Sequence, residues 1–157
     1  MFFVASMFIT VSDLFEKKGA AQARAIAERF WQSGDDEEFD TNMKVCMPLY
    51  NTRPRADRAQ AQARSIMRRE VYRHFSLPGR EIHTMDFRKA LKLVRCPTLV
   101  LGGAEDPITP PHLAREMALS MDDALVTLRI YEGCGHGAFR DDPATVLRDI
   151  RGFTEGL

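Results

Sequence analysis

The sequence predicts an α/β protein: a helical segment over residues 1–93, followed by a strand-helix-strand-helix unit of a mostly parallel sheet over residues 94–157. Three observations predict it. Strong helix formers and apolar residues at helical spacing run through residues 12–95. The pattern then changes at CPTLVLGG, a short unbroken apolar run opened by Pro97 and closed by Gly102 and Gly103, as a strand buried on both faces requires. After a helical stretch comes a second β-branched run, ALVTLRIY, so a right-handed crossover between two parallel strands is expected.

The opening MFFVASMFITVSDLF is apolar for about nine residues and has neither a basic leader nor a small-residue cleavage site. A membrane span needs about twenty apolar residues, so this stretch reads as core-facing structure, with 2–11 a weak strand candidate, or as the ragged start of a truncated chain. GAAQARAIAERFWQ is a helix by composition. DDEEFDTNMKVCMPLY begins acidic, as a helix N-terminus favours, and places Phe39, Met43, Cys46, Met47 and Tyr50 on one helical face. Beyond NTRPRADR, the four-residue repeat of Ala63, Met67, Val71 and Phe75, with arginines opposite, predicts one amphipathic helix that ends at SLPGRE. In the second half, PHLAREMALSM carries Leu113, Met117 and Met121 on one face. DDPATVLRDIRGFTEGL has Asp142 as N-cap, Pro143 in the first helical position, and a sheet-facing stripe of Val146, Leu147, Ile150 and Phe153. Strands this apolar want further strands beside them, and the chain offers none that is strongly strand-like.

Composition narrows the function classes. The chain has 157 residues, 22 basic and 22 acidic, which argues against whole-chain attraction to nucleic acid or to an anionic membrane. Residues 53–95 hold twelve Lys/Arg against four Asp/Glu, and a solvated arginine-rich helical face explains that block. Three cysteines, Cys46, Cys96 and Cys134, have neither disulfide-framework nor zinc-site spacing, so a reducing cytoplasm is expected.

Chemistry in open α/β sheets gathers beyond the carboxyl ends of strands. Two loops lie there: AEDPITPP, with Glu105 and Asp106, and EGCGHGAF, with His136. An acid after one strand and an imidazole after the next can meet, and a carboxylate that fixes an imidazole's tautomer is part of a hydrolytic relay.

The strand–G-x-x-x-D-P…P-P segment followed by G-x-G-H-G-x-F resembles the C-terminal end of the α/β-hydrolase superfamily over about residues 86–157. More loosely, MPLYNTRP and the approach DFRKALKLVRCPTLVLGG resemble the lid and return segment of proline-iminopeptidase-like members. The resemblance implies a partial α/β-hydrolase fold, with residues 1–93 a helical lid or cap and 94–157 part of the core. It makes Asp106 the triad acid, ahead of Glu105 because the family's acid stands just before the proline, and His136 the triad base, with Gly135 and Gly137 shaping its loop. Cys134 shares the histidine's own loop and is a poor nucleophile candidate, since the family places its nucleophile on a separate strand-to-helix elbow. Cys46 reads as core, His74 and His112 as surface or packing residues, and Phe139 either as packing beneath the loop or as a border of the substrate pocket.

The family's G-x-S-x-G elbow is not in the sequence. None of the six serines, Ser6, Ser12, Ser33, Ser65, Ser76 and Ser120, has glycine two places either side, and no HGGG-type oxyanion segment occurs. The expectation is therefore the C-terminal part of a serine hydrolase, inactive alone. Its substrate would be a small molecule or short peptide, and its partner an N-terminal hydrolase portion or a second copy of itself. No metal, organic cofactor or membrane is implied. A non-catalytic interaction module with a vestigial triad is the alternative, and nucleic-acid binding through 53–95 the weakest reading.

Overall fold

The computed structural model describes residues 13–18, 21–33, 35–53, 57–66 and 68–157; the strand candidate at 2–11 and the stripe residue Met67 lie outside the described residues. Helices α1 (Leu14–Lys18), α2 (Ala21–Ser33) and α3 (Asp36–Val45) come first. Asp35 caps α3, its Oδ1 accepting the Glu37 N–H at 2.7 Å and the Glu38 N–H at 3.3 Å, and three acidic residues fill the first turn where the helix dipole favours them. The expected helix to Tyr50 stops at Val45 and becomes a 3-10 turn, Met47–Leu49, because Pro48 has no N–H to continue the α-helical ladder. Phe39 and Cys46 are buried as the spacing predicts, but the tightened turn leaves Met47 exposed.

The single amphipathic helix expected next is two helices, α4 (Arg58–Arg64) and α5 (Arg69–Ser76). Its stripe is not a core face either: Val71 and Phe75 are about half exposed, at 50% and 47%. Tyr72 sets the rotation instead. Its ring stacks on Phe30 at 5.0 Å, meets Phe39 edge-on at 5.1 Å, and its hydroxyl donates to the Phe30 carbonyl. Arg69 and Arg73 flank it and pair with Asp36 and Asp40 of α3. Exposed pairs of this kind contribute little, so the aromatic contact decides which face turns inward. Short helices α6 (Glu81–Thr84) and α7 (Arg88–Leu91) complete the approach to the sheet.

Strands β1 (Thr98–Gly103) and β2 (Val126–Tyr131) pair in parallel, with Thr98 opposite Val126 and Gly103 opposite Tyr131. The crossover is α8 (Pro111–Leu119). Alternation along the strands splits the core. Val100 packs with Leu91, Ala114 and Met121 on the α8 side, while Leu101 and Tyr131 lie with Val146 and Ile150 of α10 (Pro143–Glu155) on the other. A one-turn helix, α9 (Ala138–Asp141), precedes α10, whose cap is Asp142, accepting the Thr145 N–H at 3.2 Å. Leu147, expected in the apolar stripe, is exposed; Val146 and Ile150 carry the contact.

The strands are less buried than their composition predicts. Only Val100, Gly103 and Tyr131 are buried, because among the described residues β1 and β2 have no sheet partner but each other. No helix among the described residues is long and apolar enough to cross a membrane.

Candidate active site

The loops that follow β1 and β2 are laced together where the strands end. The Ala104 N–H donates to the Tyr131 carbonyl at 3.0 Å, and the Glu105 N–H to the Cys134 carbonyl at 2.9 Å. This brings the acid-bearing and histidine-bearing loops side by side. At Gly103 a side chain would collide with the Gly135 and Cys134 carbonyls, so the residue that closes the strand has to be glycine for the second loop to lie this close.

Asp106 is 3% exposed, and its carboxylate is fully engaged. It accepts the backbone N–H of Ile108 at 2.8 Å and of Thr109 at 3.0 Å, and the Thr109 hydroxyl at 2.6 Å. His136 Nδ1 stands 3.0 Å from Oδ2 and 3.2 Å from Oδ1. Burial pushes the Asp106 carboxyl up, but the hydrogen bonds from His136 and Thr109 outweigh it and hold the group below the ordinary carboxylate range. An ionised carboxylate only accepts, so the shared proton sits on Nδ1 and Nε2 is the ring's acceptor. The ring lines a cleft and keeps 38% of its side-chain surface open.

The histidine loop is held from its other side by residues 50–53. The His136 N–H donates to the Tyr50 carbonyl at 2.7 Å, and the Tyr50 ring meets the imidazole edge-on at 5.8 Å. The Gly137 N–H donates to Asn51 Oδ1 at 2.7 Å. A Cβ at Gly135 would run into the Tyr50 carbonyl, so this glycine too answers a close approach of backbone.

The cleft has a volume of about 1660 Å³, beyond the roughly 300–1,000 Å³ of an ordinary small-molecule pocket, because it continues from the histidine along β1. Phe139 is 54% exposed and borders this cleft rather than packing beneath the loop. Glu105 is exposed, and the carboxylate that meets the imidazole is that of Asp106. Cys134 is buried, which pushes its thiol up and away from the thiolate a nucleophile needs. Cys46 is core, its thiol donating to the Ala23 carbonyl at 3.2 Å. His74 and His112 are exposed. Among the described residues no group of three or more His, Cys, Asp or Glu is arranged to hold a metal ion.

Sequence reasoning missed Thr109, Tyr50, Asn51 and Asp141. Thr109 lies between prolines, where the sequence carries only turn signals. Asp141 does carry a signal: the doublet before Pro143 supplies two aspartates where a helix needs one cap.

Residues 3–149 match the model of the alpha/beta hydrolase family, through the helical segment as well as the strands. The chain belongs to that family. Among curated proteins no relative matches it. Helices with a two-stranded parallel sheet make this a partial α/β-hydrolase fold, and the paired aspartate and histidine stand at the strand ends where such a fold presents its functional groups.

Proposed function

We propose that this chain supplies the acid and the base of a serine-hydrolase relay, as the C-terminal portion of a proline-iminopeptidase-like member whose serine lies on other residues. The observation that carries the proposal is the 3.0 Å contact between a buried, ionised Asp106 and His136 Nδ1, which leaves Nε2 free to accept a proton. In the intact site Nε2 takes the serine proton during acylation and returns it to the leaving group. It then draws a proton from water for deacylation, while Asp106 stabilises each imidazolium that forms.

Two observations support an external serine. No serine of the sequence has the glycine flanks of a nucleophile elbow, and Ser65, which shares the cleft with His136, donates its hydroxyl to the Ala61 carbonyl at 2.8 Å. The outer edges of β1 and β2 are open among the described residues, as a sheet awaiting further strands would be. The substrate is a peptide, ester or amide small enough for the cleft, covered by the helical segment. The proline-iminopeptidase-like assignment rests on the resemblance of MPLYNTRP and the approach to β1. Free Cys46, Cys96 and Cys134 suit a reducing compartment.

Complementation tests the reading. Mixed with an N-terminal hydrolase portion that carries G-x-S-x-G, the chain should restore ester hydrolysis, and His136→Ala should lower it by about 10³-fold or more, as loss of a triad base does. Restored turnover that is indifferent to both His136→Ala and Asp106→Ala would contradict it.

A further inference from the structure

Three successive N–H groups of the histidine loop, those of Gly135, His136 and Gly137, all end on one short seam. Gly135 donates to Asp141 Oδ2 at 2.7 Å, His136 to the Tyr50 carbonyl at 2.7 Å and Gly137 to Asn51 Oδ1 at 2.7 Å. From the opposite side, the Thr52 N–H reaches the same Asp141 Oδ2 at 3.0 Å and the Arg53 N–H reaches Oδ1 at 3.1 Å. The Thr52 hydroxyl donates to the Gly133 carbonyl at 2.6 Å. Asp141 is 1% exposed, and no cationic side chain pairs with it among the described residues. A carboxylate this buried persists only when donors replace its water, and here the N–H groups of Gly135, Thr52 and Arg53 do so from two separate segments. Burial pushes its carboxyl up, yet the N–H groups of Gly135, Thr52 and Arg53 outweigh that and favour the ionised form. Asp142, next in sequence, caps α10 instead, so the two aspartates have different tasks.

We propose that Asp141 is a positioning residue for His136: its buried carboxylate joins the Tyr50–Arg53 segment to the histidine loop, so the seat of the helical segment sets where the imidazole stands. The relay it would serve is the one proposed above, and in that sense the inference rests on that reading. A merely structural aspartate would stabilise the whole domain. A positioning one acts on the imidazole and on the amides of the seam while leaving the strand ladder alone.

NMR of the full chain separates the two. The signature is the downfield Nδ1–H proton of His136, which its bond to Asp106 protects from solvent. In Asp141→Asn, amide exchange at Gly135, Thr52 and Arg53 should quicken by at least about tenfold, as loss of a charge-assisted acceptor implies. The Nδ1–H signal should be lost to exchange, while the β1–β2 ladder amides keep their protection. An unaltered Nδ1–H signal, or ladder amides that lose protection to the same degree, would overturn the proposal. Should Asp141→Asn not fold, Asp141→Glu decides, because it keeps the charge but moves the carboxylate off the Gly135, Thr52 and Arg53 amides. Loss of the Nδ1–H signal with an intact ladder carries the proposal, and a retained signal overturns it. Neither readout needs a nucleophile or a substrate, so failure here is distinct from failure of the hydrolase reading.

Discussion

Asp106 shows what a single side chain must do to stay charged in a protein interior. Two backbone N–H groups, one hydroxyl and one imidazole N–H replace its water, and all four act on one carboxylate. The imidazole's tautomer follows from that arrangement. Asp106→Asn changes it: the amide offers N–H donors as well as an oxygen, so a donor can face Nδ1 and move the ring proton to Nε2. The ¹⁵N shifts of His136 should then report the Nε2–H form, where the native chain reports Nδ1–H; identical shifts in the two proteins would count against the pairing. Both partners were legible in the sequence because each follows a strand whose apolar run is unmistakable. Thr109 and Asn51 were not, since a threonine beside prolines and an asparagine in NTRPR look like ordinary turn residues. Only the fold shows that one donates to Asp106 and the other receives the Gly137 N–H.

Among the elements, the helical segment is held by rings more than by charge. Phe30 of α2 touches Trp31 at 4.8 Å, Phe39 of α3 at 5.9 Å and Tyr72 of α5 at 5.0 Å, so one buried side chain joins three helices. Phe30→Ala should destabilise the chain by about 3–5 kcal/mol, read from denaturant unfolding. Val71→Ala, at a half-exposed position, should change stability by less than about 1 kcal/mol. Equal effects would show that the four-residue stripe, not Tyr72, faces the core. The stripe misled for a physical reason. Periodicity locates an apolar face but not its partner, and stacking on Phe30 turned α5 so that Tyr72, Arg69 and Arg73 meet its neighbours. The α8 and α10 helices were readable almost to the residue, because prolines at their starts and the Asp142 cap are local signals independent of tertiary packing.

Over the whole molecule, two buried carboxylates link stability to pH. Asp106 and Asp141 are both held below the ordinary carboxylate value despite burial. Their folded pKa values lie under the unfolded value of about 3.9, so the stabilisation they bring is complete above that pH and is lost as pH falls through the folded values. Unfolding followed by circular dichroism should therefore be insensitive to these groups at neutral pH and show an acid limb below about pH 4, less steep in Asp106→Asn. A limb unchanged by that substitution would mean that Asp106 is not held as described. At this scale the sequence revealed the layer order, the family resemblance and the shortage of strands, but not how far that shortage leaves β1 and β2 uncovered, because burial of a strand depends on partners that its own residues do not specify. The same gap bears on chemistry: a carboxylate and an imidazole are paired at the strand ends, and no serine of the sequence has glycine two places either side.

Fluorophosphonate labelling of the purified chain, read by intact mass, addresses this most directly. No stoichiometric adduct is expected, since no serine of the sequence has the glycine flanks of a nucleophile elbow. A one-to-one adduct on any serine, Ser65 in the shared cleft above all, would contradict it and place the nucleophile within this chain.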